Sequence, residues 1–291
     1  MSQNLDQNDS SATITELVAM SEQAAEKEGR QFFRHSADES TREQVKRETD
    51  KVDIKDRLRS QNMLVQGSKL GPRFVDEYRR IKRPLLSNAF GKSSSLIEKG
   101  NLILVTSSIP GEGKTHTAIN LALSIAQERD HTVLLVDCDV TRHGCSRLLG
   151  IADRPGLVDI IEDDSFTVGD AILRTDVPEL SLISAGKQHD FVTELLASQK
   201  MSELVAEIGE RYDDRVIIFD GPPLLSTPQT QVLTGLVGQI VFVVEAGKTP
   251  QSLVEEALTM IPEEQATGLV MNKSEGISGR SGYYYGYYGS D

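Results

Sequence analysis

The chain of 291 residues carries a net charge of −13, and 38% of its residues are hydrophobic and 26% charged. This composition is typical of one α/β domain with additional polar segments, and the acidic surface disfavours binding to nucleic acid. No apolar run approaches the roughly 20 residues that cross a bilayer. Two cysteines are too few for a disulfide framework, and the polar start does not resemble a signal peptide. We therefore expect a cytoplasmic protein without direct membrane insertion.

The first part of the chain is polar and differs from the rest. Residues 1–70 are rich in Ser, Gln, Asp and Glu, and we predict a flexible segment there with one short amphipathic helix. This helix is either transient within a disordered leader or a docking helix for a partner protein. Its apolar positions are Ile14, Leu17, Val18, Ala24 and Ala25.

Helical and strand patterns alternate through the middle of the chain. Apolar residues recur at helical spacing from Phe74 to Ala89, with Pro84 as a kink or a restart. Six short, continuous apolar runs follow, as is typical of parallel strands that helices cover on both faces. We therefore predict a doubly wound, mostly parallel α/β sheet over residues 71–275, with ligands beyond the carboxyl ends of its strands. The runs are Leu102–Val105, Val133–Val136, Leu180–Ile183, Val216–Phe219, Ile240–Val244 and Leu269–Met271.

A glycine-rich loop follows the first of these strands. The stretch Ser108–Thr115 reads SIPGEGKT and leads into a helix, which is the strand–loop–helix context of a P-loop. Gly111 and Gly113 allow backbone N–H groups to converge on phosphate oxygens. Lys114 reaches the terminal phosphates, and the Thr115 hydroxyl binds Mg²⁺, so we predict a site for ATP and Mg²⁺. The predicted nucleotide-binding residues are Ser108, Gly111, Glu112, Gly113, Lys114, Thr115, His116 and Asn272.

Acidic residues end two further strands. Asp137 and Asp139 follow the second run, and Asp220 ends the fourth in the Walker-B arrangement of four apolar residues and an aspartate. Parallel strands end at the same edge of a sheet, so we expect these carboxylates to meet the P-loop. Asn272 ends the last strand, where it is either a contact to the nucleotide base or part of an ordinary turn. The predicted Mg²⁺ ligands are Thr115, Asp139 and Asp220, and the predicted catalytic residues are Lys114, Asp137 and Asp139.

Together these motifs resemble those of the bacterial tyrosine kinases that regulate export of extracellular polysaccharide. The resemblance covers residues 70–291 and looks closest to the autokinases of exosortase-associated exopolysaccharide loci. It is carried by the P-loop SSIPGEGKT, the second acidic motif VLLVDCDVTR, the Walker-B motif VIIFDGPP and a C-terminal tyrosine cluster. It implies a P-loop NTPase fold similar to that of MinD and ParA.

The C-terminal tail, residues 276–291, consists mainly of Gly, Ser and Tyr, and we predict that it is flexible. The resemblance implies an ATP-dependent protein-tyrosine autokinase that phosphorylates the tail of a neighbouring subunit in trans, with Asp137 accepting or orienting the phenol proton. A Gly/Tyr linker that binds a partner without phosphorylation is the alternative. The implied autophosphorylation sites are Tyr283, Tyr284, Tyr285, Tyr287 and Tyr288.

A further motif lies in the helix before the first strand. Glu77, Arg80 and Arg83 match the ExxRxxR motif of this family, which implies a ring-like homo-oligomer; by itself the spacing indicates only a solvated face. Many family members are fused to a transmembrane segment, and this chain resembles the split form. The split form implies a separate transmembrane activator of the chain-length-determinant type, which holds the protein at the inner face of the membrane. The resemblance implies that the kinase itself regulates exopolysaccharide synthesis and export.

Two other function classes share the P-loop. The partitioning and cell-division ATPases usually carry an extra lysine at the second position of the loop, where this chain has Ile109. The first alternative is nevertheless an ATPase switch of this partitioning type without kinase activity. The second is a nucleotide-gated scaffold for a membrane export complex. Residues 227–230 lack the acidic residue that the kinase family often carries there, so the resemblance assigns that loop no role.

Overall fold

The computed structural model describes residues 51–65, 68–91 and 94–274, without the side chains of Ser95 and Gln229. The predicted helix near the N-terminus and the tyrosine cluster lie outside the described residues. A 3₁₀ helix spans Ser94–Leu96. The other elements are β1 (Lys51–Val52), α1 (Lys55–Ser60), α2 (Pro72–Phe90), β2 (Leu102–Ser107), α3 (Lys114–Ile125), β3 (Thr132–Asp137), α4 (Gly144–Leu149), α5 (Leu157–Glu162), α6 (Val168–Ala171), β4 (Leu173–Thr175), β5 (Leu180–Ile183), α7 (Val192–Leu196), α8 (Gln199–Glu210), β6 (Arg215–Asp220), α9 (Pro228–Thr234), β7 (Gln239–Glu245), α10 (Gln251–Leu258) and β8 (Ala266–Asn272).

The strands of the described residues form one sheet in the order β1-β4-β5-β3-β6-β2-β7-β8. Every neighbouring pair is parallel except β4 and β5. Alternate residues of β2 point to two different apolar cores: Ile103 and Val105 belong to one, and Leu102 and Leu104 to the other. Because helices cover both faces, the strand has no polar face, which explains its continuous apolar run. The predicted fold class is confirmed, and the six predicted runs correspond to β2, β3, β5, β6, β7 and β8.

Helix α2 extends the predicted helical segment by a few residues at its start. A proline occupies its first turn, where a missing N–H costs no hydrogen bond. The helix buries Tyr78, Lys82 and Leu85, which lie on one face at spacings of four and three residues. Pro84 lies on the exposed side, and the helix continues through it to Phe90. The proline therefore neither ends nor restarts this helix.

The folded part of the chain begins before the predicted boundary at residue 71. Strand β1 pairs with β4, and the carboxylate of Asp176 accepts a hydrogen bond from the backbone N–H of Ile54 at 2.9 Å. Ile54, Leu58 and Met63 are completely buried. The flexible segment predicted for residues 1–70 is therefore incorrect for residues 51–65. Ile54 and Leu58 are one helical turn apart, but the helix has only six residues and is mostly charged, so it shows no sustained apolar pattern.

Among the described residues, no helix combines the length and the apolar composition that a membrane span requires.

Candidate active site

The P-loop connects β2 to α3 and has the backbone of a phosphate cradle. Gly111 and Gly113 have φ angles of +95° and +99°, which residues with a Cβ rarely adopt. At Gly113 a Cβ would also collide with the amide of Asn272, whereas the space around Gly111 is open. Helix α3 begins at Lys114, so its free N–H groups and the positive end of its dipole lie at the end of this loop. This arrangement suits an anionic ligand.

The side chain of Lys114 lies among the carboxylates that were expected to meet it. Its Nζ is 2.9 Å from Oδ2 of Asp139 and 3.7 Å from Oδ1 of Asp220. Burial alone would lower the pKa of Lys114, but Asp220, Asp139 and Asp137 together raise it. The Thr115 hydroxyl is 3.3 Å from the same ammonium group. The ends of β3 and β6 thus converge on the P-loop as the sequence predicts.

Asp220 is the least satisfied of these carboxylates. It is completely buried, and within the described residues neither of its oxygens has a hydrogen-bond partner. Burial raises its pKa to about 7, despite the opposing effect of Lys114. Buried carboxylate oxygens that accept no hydrogen bond are costly unless a ligand binds them.

These donors fit Mg²⁺ bound together with a nucleotide. The described residues contain no group of three His, Cys, Asp or Glu side chains that would hold a metal ion by themselves. Mg²⁺ typically uses one or two carboxylates, with phosphate and water oxygens as its remaining ligands. The carboxylate of Asp220, whose oxygens accept no hydrogen bond within the described residues, and the neighbouring Asp139 and Thr115 provide such an incomplete set. The metal roles of these three residues remain predictions.

Asp137 is held in a fixed orientation by Ser146 of α4. Its Oδ2 accepts hydrogen bonds from the Ser146 N–H at 2.8 Å and from the Ser146 hydroxyl at 2.7 Å. Its Oδ1 accepts the N–H of Asp139 at 3.1 Å. Burial raises the pKa of Asp137, although the bonds from Ser146 act in the opposite direction. Sequence reasoning missed Ser146, because a serine nine residues beyond an aspartate carries no recognisable signal.

The remaining predicted nucleotide-binding residues lie near the loop and make different contacts. Ser108 is buried, and its hydroxyl has no hydrogen-bond partner among the described residues. The amide Nδ2 of Asn272 donates to the backbone oxygen of Glu112 at 2.8 Å, so Asn272 contacts the loop itself. His116 packs against the ring of Phe74, and burial lowers its pKa. The predicted contacts of Asn272 with a base and of His116 with a nucleotide remain predictions.

Glu112 was predicted to bind the nucleotide, a role that remains a prediction, and its side chain is buried with the loop. Its Oε2 accepts the N–H of Ile109 at 2.8 Å, and its Oε1 accepts the hydroxyl of Thr249 at 2.6 Å. Thr249 lies between β7 and α10 and was not predicted as a site residue. Glu112 therefore binds groups of the protein on both sides of its carboxylate.

The ExxRxxR residues lie on the outer side of α2. Glu77, Arg80 and Arg83 are exposed, and Glu77 pairs with Arg73 at 3.0 Å. The opposite side of the helix is anchored by the buried ammonium of Lys82. That group donates to the backbone oxygen of Ser124 in α3 at 2.6 Å and pairs with Glu128 at 2.6 Å. The helix that carries the motif is therefore fixed against the helix that begins at the P-loop.

Comparison with known proteins identifies the family. Residues 100–261 match the family described as AAA domain. CapB of Staphylococcus aureus, named "Putative tyrosine-protein kinase CapB", is 30% identical over 219 residues, which are 74% of this chain and 90% of CapB. YwqD of Bacillus subtilis, named as a tyrosine-protein kinase, is 29% identical over 217 residues, which are 74% of this chain and 86% of YwqD. The chain belongs to the bacterial tyrosine-protein kinases. ExoP of Rhizobium meliloti, named as a succinoglycan biosynthesis transport protein, is 30% identical over 181 residues, which are 61% of this chain and 23% of ExoP.

Solved structures agree with this assignment. The kinase domain of VpsO is 27% identical, with a TM-score of 0.59 over 69% of this chain and 96% of that domain. The cell division ATPase MinD of Pyrococcus furiosus is 22% identical, with a TM-score of 0.50 over 60% of this chain and 73% of MinD, and shows a likeness of fold alone. The kinase thus has the predicted P-loop NTPase fold.

Proposed function

We propose that this kinase uses ATP and Mg²⁺ to phosphorylate the tyrosine cluster of its own C-terminal tail in trans, and that it thereby regulates exopolysaccharide synthesis and export. The observation that carries the proposal is the convergence of Asp139 and Asp220 on Lys114 beside the glycine-rich loop. The names of CapB and ExoP support a tyrosine kinase that acts in polysaccharide synthesis. The five tyrosines between residues 283 and 288 provide the substrate.

The residues of the P-loop and of the neighbouring strand ends have different roles in phosphoryl transfer. The loop backbone and Lys114 would hold the phosphates of ATP, and Thr115, Asp139 and Asp220 would hold the metal ion. Mg²⁺, when bound, supplies positive charge that neutralises the transferred phosphoryl group. In the reaction the tyrosine oxygen forms a bond to the γ-phosphorus, the bond to the bridging oxygen breaks, and ADP leaves.

Asp137 receives or orients the proton that the tyrosine loses. A free phenol has a pKa near 10, which is far above that of an ordinary carboxylate. Burial raises the pKa of Asp137 and so brings its proton affinity closer to that of the phenol. The hydrogen bonds from Ser146 fix the direction of this carboxylate. Alignment of the reacting groups supplies much of the remaining rate enhancement.

The proposal extends to the assembly of the kinase and to its location. We assign Glu77, Arg80 and Arg83 to a contact between subunits of a ring-like homo-oligomer. This assignment is supported by their exposure on a helix that Lys82 fixes to α3. A separate transmembrane activator of the chain-length-determinant type would hold the ring at the inner face of the membrane.

Mass spectrometry of the tail tests the proposal. Purified protein is incubated with Mg·ATP, and phosphotyrosine is mapped in the wild type, in Lys114→Ala and in the control Lys99→Ala, which removes an exposed lysine. We expect label between Tyr283 and Tyr288 in the wild type and the control, and none in Lys114→Ala. Mixing Lys114→Ala with a variant whose tail tyrosines are phenylalanine should label the tail of Lys114→Ala, because transfer occurs in trans.

Other outcomes identify the alternatives. ATP hydrolysis without phosphotyrosine, even with an activator present, would favour an ATPase switch of the partitioning type. Nucleotide binding without either reaction, with export intact in Lys114→Ala, would favour the scaffold.

A further inference from the structure

We propose that Glu112 and Thr249 are positioning residues that hold the P-loop in its ATP-binding conformation. This inference rests on the proposed nucleotide site and extends it to the loop between β7 and α10. The two residues are 137 positions apart, and a hydrogen bond of 2.6 Å joins them. We call this contact, together with the bond from Ile109 to Glu112, the loop bridge.

The carboxylate of Glu112 is surrounded by donors. Ile109 donates its N–H to Oε2 at 2.8 Å. Thr249 donates its hydroxyl to Oε1, and Glu245 donates its N–H to the same oxygen at 3.3 Å. The residue is 1% exposed, so water cannot replace these bonds. Hydrogen bonds to a buried carboxylate are charge-assisted and about twice as strong as neutral ones.

The end of β8 contacts the same turn from its backbone side. The ammonium of Lys273 donates to the backbone oxygen of Gly111 at 2.6 Å and pairs with Glu245 at 3.1 Å. Asn272 donates to the backbone oxygen of Glu112. The end of β7 and Thr249 after it therefore bind the side chain of Glu112, whereas the end of β8 and Lys273 after it bind the backbone of the same turn.

The turn needs such support because of its glycines. Glu112 lies between Gly111 and Gly113, and glycine has the largest conformational freedom of any residue. A loop that is free to sample other conformations loses that freedom when it binds phosphate, and the loss weakens binding. The loop bridge removes this freedom before ATP arrives. Its contribution should therefore appear in the affinity for ATP rather than in the rate of phosphoryl transfer.

Thr249→Val tests the loop bridge, because it removes one hydroxyl at a half-buried position and preserves the shape of the side chain. We expect the Kd for Mg·ATP, measured by calorimetry, and the KM for ATP to rise about tenfold, the effect of one hydrogen bond to a charged group. We expect kcat to change by less than about twofold, since the reacting groups stay in place. Thr249→Ser retains the hydroxyl and should recover most of the affinity. Should Thr249→Val fail to fold, Thr249→Ala carries the same expectation.

The matched control is Thr259→Val, because within the described residues the hydroxyl of Thr259 bonds to the backbone oxygen of Glu256 near the end of α10 and to no residue of the P-loop. We expect wild-type Kd and KM for this variant. Wild-type values in Thr249→Val, an equal loss in Thr249→Ser, or a fall in kcat without a rise in KM would overturn the inference. Lys114→Ala separates this result from the proposed function. If that variant binds ATP as tightly as the wild type, the nucleotide site itself is assigned incorrectly.

Discussion

Asp220→Asn is expected to stabilise the protein when neither metal nor nucleotide is bound. The carboxylate is completely buried and its oxygens have no hydrogen-bond partner within the described residues, so its charge is unfavourable in the folded state. Burial raises its pKa from 3.8 to about 7. Asparagine has a similar shape and no charge, and therefore removes this penalty.

The size of the effect depends on pH in a defined direction. Well below pH 3.8 the carboxyl group is protonated in both the folded and the unfolded chain, so ionisation costs no stability. Between the two pKa values only the unfolded chain ionises, and stability falls as the pH rises. Above pH 7 the penalty reaches its full value of about 4 kcal/mol, because one pKa unit corresponds to about 1.4 kcal/mol. At pH 5 the same relation gives about 2 kcal/mol.

Urea denaturation at pH 5 and pH 8 in a buffer with a metal chelator measures this difference. We expect Asp220→Asn to be more stable than the wild type at both pH values, with the larger gain at pH 8. The control Asp139→Asn should be less stable than the wild type, because it removes the partner of Lys114 at 2.9 Å. Adding Mg·ATP should stabilise the wild type more than Asp220→Asn. A variant that is less stable than the wild type at pH 8 would refute the reasoning.

Two further predictions concern the N-terminal part and the outer face of α2. A chain that begins at residue 71 lacks three completely buried apolar side chains. Its free energy of unfolding, measured in urea, should therefore be lower than that of a chain that begins at residue 49 by on the order of 5 kcal/mol. Equal stability would show that these contacts are dispensable. The double substitution Arg80→Glu with Arg83→Glu should give a smaller particle in size-exclusion chromatography with light scattering, at an unchanged melting temperature. Lys69→Glu is the control, since it reverses an exposed charge outside α2. Oligomers of equal size in the wild type, the double variant and the control would contradict the subunit contact.

The sequence by itself determined six strands of the sheet and the centre of the site. Parallel strands that helices cover on both faces must be apolar along their whole length, and this pattern revealed β2, β3, β5, β6, β7 and β8. Polar residues at the carboxyl ends of such strands meet at one edge, so Lys114, Asp139 and Asp220 could be placed together before any distance was known. The kinase assignment required the motifs as a set, because the P-loop is shared by several function classes.

The tertiary structure decided what depends on contacts between distant parts of the chain. Strand β1 has two residues and β4 has three, which is too short for a periodic pattern, and their positions are set by pairing and by the burial of Ile54 and its neighbours. Ser146 and Thr249 are ordinary residues in the sequence and become important only where they donate hydrogen bonds to Asp137 and Glu112. The spacing of residues in the sequence can predict which backbone segment binds phosphate. The side chains that hold this segment come from segments far away in the chain, and only folding brings them to it.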